Sequence, residues 1–342
     1  MKILVTGASG SLGVKLVEQL AAKGVSIRCL VRRNTDVSKL NEIKHRYGPD
    51  CLEYAVGNLT HRPDVRRALS DIDVVCHLAA ELRGLPASLF HNNVVGSRNL
   101  LEAALEFRPA RIIWISSIAA YEVAGLDDGS TIDEGFSLER FPERRDIYTH
   151  TKVWQERLVQ DYGSRATLQC VILRPGVIYG ESRDPLFARL GIRVGNFWFR
   201  LAAEVALPLS YVDNCASAVA FAINPRVCEG VYNVLDDDTP TARAYLRQYQ
   251  QYVGTFRSLR IPRYLTIAFS RFIETCSRHS HGEIPAFLTP YKVKSTWTSH
   301  RFTAEKFKAA GWKQWVPTTE ALRRTFHSAS LTQSSLPHIG RS

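Results

Sequence analysis

The chain has 342 residues, 45% hydrophobic and 23% charged, which excludes global disorder and allows one large α/β unit or two closely joined domains. It contains no run of about 18 uncharged apolar residues and opens directly into a strand instead of a basic and apolar signal segment, so a cytoplasmic protein with no integral membrane segment is expected. The formal charge of +11 is spread along the chain with no long basic run and no nucleic-acid module, so it reads as a solvated surface that draws in anionic ligands, not as a nucleic-acid site.

In chain order, Lys2 to Val5 is an apolar, β-branched run that predicts a buried strand, and an apolar helical pattern (Leu12, Leu16, Leu20) follows. Between them lies Thr6-Gly7-Ala8-Ser9-Gly10-Ser11-Leu12-Gly13, with a glycine at every third position. A phosphate-binding turn needs this order: Gly7 turns sharply, Gly10 lets the backbone approach a pyrophosphate, and Gly13 lets helix and strand pack closely. The free N–H groups of the helix start then face the anion, so this stretch predicts a dinucleotide site.

Val25 to Val31 predicts a second strand, ending in Arg32-Arg33. A carboxylate there would take hydrogen bonds from the adenosine ribose of NAD; none is present at Val31, Arg32 or Arg33. Two guanidinium groups suit a 2′-phosphate, which makes NADP the preferred cofactor and NAD the alternative. Leu52 to Val56 leads as a third strand into Gly57-Asn58-Leu59, and Asp73 to Leu78 forms a fourth, ending in His77-Leu78-Ala79-Ala80. Leu89 to Leu105 has the spacing of one long amphipathic helix. Arg111 to Ser117 supplies a fifth strand with Ser116 and Ser117 at its carboxyl end, where open parallel sheets hold their ligands.

Residues 121 to 147 read as a long surface loop, Tyr148 to Tyr162 as a helix, and Leu168 to Leu173 as a sixth strand stopped by Arg174-Pro175-Gly176. The alternation predicts an α/β fold: a doubly wound parallel sheet, the Rossmann fold, with a smaller C-terminal substrate-binding region. We divide the chain into a nucleotide-binding part, 1–181 with a return segment 208–234, and a substrate-binding part, 182–207 and 235–327. Residues 328–342, rich in serine, are expected to be disordered. Seven scattered cysteines and histidines without ligand spacing predict reduced thiols and no metal site.

Tyr148 and Lys152 are four apart, so on a helix both reach one ligand. An ammonium near a phenol favours the phenolate and lowers its pKa, which makes Tyr148 a proton donor and acceptor. The ordered set of glycine turn, serine at the fifth strand end, Tyr148-Thr-His-Thr-Lys152 and Leu173-Arg-Pro-Gly-Val-Ile-Tyr-Gly180 resembles the extended short-chain dehydrogenase/reductase superfamily and its NAD(P)-dependent epimerase/dehydratase family. His77-Leu-Ala-Ala80 and Asn93-Val-Val-Gly-Ser-Arg-Asn-Leu-Leu-Glu-Ala103 extend the likeness over nearly all of 1 to about 326. The resemblance implies that Tyr148 is the acid/base, that Lys152 binds the nicotinamide ribose and lowers the tyrosine pKa, and that Ser117 bonds the reacting oxygen. Counting back four from Tyr121 favours Ser117 over Ser116. The same pattern puts Thr6, Ser9, Ser11, Leu12, Leu78, Ala79, Ala80, Asn99 and Ser116 at the cofactor, Asn58 and Leu59 at the adenine, and Pro175, Gly176 and Val177 at the carboxamide. The family more often has an acidic residue at the place of Asn58.

Within that superfamily, Tyr211-Val212-Asp213-Asn214-Cys215-Ala216 is similar to the 3β-hydroxysteroid dehydrogenase-like branch, which implies an oxidoreductase acting on a hydroxyl or ketone of a fairly apolar small molecule. Nucleotide-sugar epimerases usually carry an arginine just before the segment Leu207 to Asp213; here that place is apolar, though Arg193 and Arg200 could substitute. An epimerase or dehydratase with retained cofactor is therefore the first alternative, and a non-catalytic nicotinamide sensor the second. Asp213 reads as a helix cap, and Phe187, Phe197, Trp198 and Phe199 as ordinary core. The resemblance also implies a homodimer formed through the helices Leu89 to Leu105 and Tyr148 to Tyr162.

Overall fold

The computed structural model describes residues 1–342 except 167, 182, 202–204, 281–287, 299 and 335–342. In chain order the first half holds β1 (Lys2–Thr6), α1 (Ser11–Ala21), β2 (Ser26–Val31), α2 (Ser38–Tyr47), β3 (Leu52–Val56), α3 (Arg62–Leu69), β4 (Val74–His77), α4 (Pro86–Phe90), α5 (Gly96–Phe107), β5 (Arg111–Ile115) and β6 (Thr131–Ile132). Then follow α6 (Ile147–Ala166), β7 (Cys170–Pro175), β8 (Val177–Tyr179), β9 (Ile192–Val194), β10 (Phe197–Arg200), β11 (Leu209–Tyr211), α7 (Val212–Ala222) and β12 (Gly230–Val234). The last third holds α8 (Ala242–Tyr252), β13 (Arg257–Arg260), α9 (Arg263–His279), α10 (Pro290–Trp297), β14 (Arg301–Phe302), α11 (Glu305–Ala309) and α12 (Thr318–Ser334).

Seven parallel strands form the central sheet in the order β12-β7-β5-β4-β1-β2-β3. Because β1 sits between β2 and β4, the winding direction reverses there, and a crevice opens at the carboxyl ends of these strands. The strands are apolar on both sides because helices cover both sides. Alternation divides them: Ile3, Val5 and Ile113 join one core with α1 and α7, and Leu4, Val75, Ile112 and Trp114 join another with α3 and α5. Arg111, buried at the foot of β5, donates to the carbonyls of Ala222, Asn224 and Val227 and so closes the C-terminus of α7. No helix among the described residues is long and apolar enough to cross a membrane.

Three expectations change. The helix expected over Leu89 to Leu105 is two helices joined by a π turn, His91–Val95, where the Asn93 carbonyl accepts from the Ser97 hydroxyl at 2.5 Å and the Gln155 amide at 3.1 Å. These competing donors widen the turn and leave the Asn93 side chain to grip the backbone of Glu81 and the hydroxyl of Thr151. The 121–147 loop carries β6, which pairs in parallel with β14. Residues 328–334, expected to be disordered, continue α12, because the ring of Phe326 is fully buried against Tyr245 and Tyr249 and Ser328 donates to Glu181. The rest of that tail, 335–342, lies outside the described residues.

His77 ends β4 in a wholly buried position that ties the sheet together. Its Nδ1 is 2.8 Å from the Thr6 hydroxyl on β1, its Nε2 is 3.3 Å from the Ser97 hydroxyl on α5, and its ring lies 4.2 Å from that of Trp114 on β5. Burial, with the Lys152 ammonium nearby, pushes its pKa down to about 3, so the imidazole is neutral in the fold. A depressed folded pKa contributes stability above the unfolded value near 6.5 that is lost as pH falls toward about 3. Asp236, raised to about 6 by burial, acts in the opposite sense over part of that range, so the test compares variants. Denaturant midpoints measured between pH 7 and pH 4 should fall for the wild type and fall less steeply for His77→Asn; equal slopes would remove His77 from the pH response.

Candidate active site

The site is built on the turn between β1 and α1. Gly7 has φ 71°, and a side chain there would press to 2.8 Å on the backbone of Ala79. A Cβ on Gly13 would meet the Gly7 carbonyl at 2.1 Å, so these two glycines set how closely the turn, β1 and α1 approach. Gly10 donates to the Gly7 carbonyl, and its own Cβ direction meets nothing closer than that oxygen at 3.3 Å. It is also the N-cap of α1, with no side-chain cap and no acid in the first turn, so the helix start presents its N–H groups to an anion. Ser9, Ser11 and Leu12 complete the turn, and Thr6 receives the Ala79 amide at 3.3 Å. These features fit a dinucleotide pyrophosphate.

A cavity of about 320 Å³ opens between this turn and the β2–α2 connection, lined by Ser9, Val14, Thr35, Asp36, Ser38 and Lys39. Arg32 and Arg33, both exposed, follow the end of β2 and do not themselves line the cavity. Asp36 was missed by reading only the strand end. Its carboxylate accepts the Ser38 amide at 2.9 Å, and that bond holds its pKa below the usual range. Asn58, expected at the adenine, is fixed by its amide to Asp64 (2.9 Å) and by its side-chain oxygen to the Thr60 amide (3.1 Å). Asn99, placed at the cofactor by resemblance, is buried and donates to the Leu59 carbonyl at 2.9 Å, so it positions this loop. Leu78, Ala79 and Ala80 run past Gly7 at the end of β4.

At the end of β5 the two serines part. Ser116 donates to Glu156, a fully buried carboxylate that also takes Nε (2.9 Å) and Nη2 (2.5 Å) of Arg174. Its hydroxyl is therefore engaged by the core. Ser117 caps the following turn by accepting the Ala119 amide at 3.1 Å, and it lies beside the Tyr148 phenol. Lys152, one helical turn on from Tyr148, is buried, donates to the Ile115 carbonyl at 2.8 Å and lies 5.9 Å from the tyrosine ring centre. So β5 and α6 bring Ser117, Tyr148 and Lys152 together.

The electrostatics differ from expectation. Burial pushes the Tyr148 phenol up to about 12, and the groups that pull it down are the Ser117 hydroxyl and the Arg183 guanidinium, not the lysine. Lys152 is itself pushed down to about 8 by burial, with Glu156 opposing. The net shift of the phenol is therefore upward, set by desolvation. Arg183 is a second residue that sequence reasoning missed. It donates from Nε to the Ser11 hydroxyl at 2.9 Å and from Nη1 to the Ile178 carbonyl at 3.2 Å, which sets a cation between the glycine turn and the phenol. No spacing signal marks it, because it reaches the site from the loop after β8.

Pro175, Gly176 and Val177 leave β7 pinned to the next segment: Gly176 donates to Ser210 Oγ, Val177 donates to the Pro208 carbonyl at 2.7 Å, and a Cβ on Gly176 would lie 2.3 Å from that carbonyl oxygen. Asp213 is no helix cap; it lies in the first turn of α7 and pairs with Lys15 of α1 at 3.2 Å. Trp198 is core and donates to the Leu190 carbonyl, whereas Phe197 and Phe199 stack on each other at the half-buried surface of β10. Arg193 lies exposed on β9 and donates to the Gly195 carbonyl within its own hairpin.

Residues 3–234 match the model of the NAD dependent epimerase/dehydratase family. A sterol demethylase protein B of Methylococcus capsulatus is 33% identical over 183 residues, 53% of this chain and 52% of that one, so the match spans about half the length of the relative. A 4-hydroxy-2-methyl-3-oxo-4-farnesyl-3,4-dihydroquinoline-1-oxide ketoreductase of Stigmatella aurantiaca is 28% identical over 72% of this chain and 71% of its own. In fold, the chain superposes on a UDP-glucose 4-epimerase of Thermus thermophilus in complex with NAD with a TM-score of 0.70, 22% identity, and 98% and 100% of the two chains covered. The parallel-sheet fold is shared with that structure, and with residues 3–234 matched the chain belongs to the NAD dependent epimerase/dehydratase family.

Proposed function

We propose that this chain is an NAD(P)-dependent oxidoreductase of the extended short-chain type that interconverts a hydroxyl and a ketone on a fairly apolar substrate. The observation that carries the reading is the meeting of Ser117, Tyr148 and Lys152 beside the glycine turn. A nicotinamide dinucleotide, when bound, supplies or accepts the hydride at its C4. Thr6 to Gly13 would hold its pyrophosphate, Arg32 and Arg33 a 2′-phosphate, Asn58, Leu59 and Leu78 to Ala80 its adenosine half, and Lys152 and Pro175 to Val177 its nicotinamide half.

The residues of the chain then handle one proton and one oxygen. Tyr148, protonated near neutrality at a pKa of about 12, is in the form that reduction of a ketone needs: it gives its proton to the oxygen as the carbon is reduced. In oxidation it takes that proton, and the Ser117 hydroxyl and the Arg183 guanidinium stabilise the phenolate this requires. Ser117 also donates to the reacting oxygen and orients it. Gly176, held against Pro208, fixes the wall opposite. In this reading 1–181 with 208–234 holds the cofactor, 182–207 and 235–327 shape the substrate region, and two copies pair through α4, α5 and α6, where Phe90 and Trp154 are exposed.

The epimerase or dehydratase reading keeps one favourable observation. Arg189, half-buried over the ring of Phe302 and pushed down to about 10 by burial, is a cation that could grip a diphosphate. Arg193 is engaged by its own hairpin and does not help. Retained nicotinamide and no net redox change during turnover would favour this alternative over the dehydrogenase; an intact response in Tyr148→Phe would favour a sensor over either.

Turnover of apolar ketones with NADPH and NADH tests the proposal. Tyr148→Phe should lower kcat by about a hundredfold or more while the affinity for NADPH stays within about twofold; undiminished turnover would refute the assignment. Separately, Arg32→Ala with Arg33→Ala should weaken NADPH by about tenfold or more and leave NADH nearly unchanged, because the 2′-phosphate loses charged donors. Equal weakening of both cofactors would refute the NADP preference.

A further inference from the structure

Helix α9 packs on its own protein through Ile267 and Ile273 and carries a second apolar face that is exposed. Its buried positions are Thr266, Ser270 and Ile273, the last joined by Ile267 in an apolar cluster with Leu288 and Val293. Its outer face carries Tyr264 (70% exposed), Leu265 (49%), Phe269 (55%) and Phe272 (64%). Tyr264, Ala268 and Phe272 form one i, i+4, i+8 row, and Leu265 and Phe269 the adjoining row, so these side chains make one continuous patch. Single exposed apolar residues are ordinary; three aromatics and a leucine in one patch, on a helix already anchored on its inner side by Ile267 and Ile273, are not.

The strand that feeds this helix continues the trend. β13 ends at Arg260 and α9 begins at Arg263. In the small sheet β13-β10-β9, register and alternation put Val194, Phe197 and Arg257 in one row and Ile192, Phe199 and Leu259 in the next, all on one face. Ile192, Val194 and Leu259 are exposed there, while Trp198 on the other face is buried.

Charge decides between possible occupants. Residues 185–200 and 254–273, which carry this surface, contain seven arginines and no aspartate or glutamate. Arg193, Arg257, Arg260 and Arg271 are exposed. Arg263 pairs with Asp128, and Arg278, further along the helix, pairs with Glu274. A second copy on this face would set the two arginine sets against each other, a costly arrangement for an interface. An anionic bilayer satisfies both features: aromatic and aliphatic side chains enter the headgroup boundary and arginines meet lipid phosphates.

We propose that the α9 face docks this protein on the surface of an anionic phospholipid bilayer. The reading rests on an apolar substrate, which it would let the enzyme draw from the membrane. The test is co-sedimentation of the full chain with phosphatidylcholine vesicles, with and without phosphatidylglycerol. Binding should require phosphatidylglycerol and decline with salt, and it should fall by about tenfold or more in Leu265→Ser/Phe269→Ser/Phe272→Ser, whose positions are exposed. Absence of vesicle binding by the wild type at low salt, or undiminished binding by the variant, would overturn it. So would a lipid-free sedimentation experiment in which the variant turns a dimer into a monomer, which would make the patch an interface between copies. NADPH affinity and turnover of a detergent-dispersed ketone, measured on the same preparations, should be equal in wild type and variant; a wild type that docks without turnover would retire the substrate reading and leave the docking surface standing.

Discussion

The buried pair of Glu156 and Arg174 is the constraint on which the site depends. Both side chains are essentially removed from water, and in that setting a lone charge is far more costly than a matched one. Glu156 lies on α6, one turn beyond Lys152, and Arg174 lies near the end of β7. Their bonds, with Ser116 just after β5 added, fix α6 against the carboxyl ends of two strands. Removing one partner would leave a buried charge and cost about 3 to 5 kcal/mol, whereas a matched apolar replacement of both could keep stability and still lose the geometry. The guanidinium also lies 4.3 Å from the ring centre of Tyr121, whose hydroxyl donates to Asn233 on β12, so the same network reaches the edge of the sheet.

From that anchor the site's chemistry follows. With α6 held, Lys152 is placed to bond the Ile115 carbonyl and Tyr148 to lie by Ser117, all on the rim where the winding of the sheet reverses. The glycine turn supplies the other wall, because Gly7 and Gly13 allow approaches that a Cβ would forbid. Arg183 bridges the two walls, bonding Ser11 on one side and acting on the phenol on the other. Uncapped helix start, cation and proton donor are thus ordered along one crevice. The same rigidity explains the perturbed titrations: His77, Tyr148 and Lys152 are all shifted first by loss of water and only second by neighbours.

Much of this was legible in the chain because it is written in local rules. Strand runs such as Lys2 to Val5 and Leu52 to Val56, the spaced glycines, and Tyr148 four before Lys152 carry their meaning within a few residues. What was not legible depends on long-range placement. Ser116 and Ser117 are neighbours in sequence, and only the buried Glu156 separates their roles. Arg183 and Asp36 reach the crevice from loops with no periodic pattern, and the π turn at His91–Val95 arises from donors on Ser97 and Gln155. Phe326 orders a segment that its serine content had marked as loose. The lowering of the tyrosine pKa by Lys152 was a sound rule for two groups in water; burial reversed the net sign.

The central claim is that the glycine turn holds a nicotinamide dinucleotide against Tyr148. The most direct measurement is a fluorescence titration of the purified chain with NADPH and NADH, beside a Gly10→Val variant. Of the three turn glycines, Gly10 is the one where a side chain meets least of the protein itself, so the substitution obstructs the ligand more than the fold. The account predicts saturable binding by the wild type and its loss in a variant that still unfolds cooperatively. Absence of binding by the wild type, or equal binding by the folded variant, would contradict it.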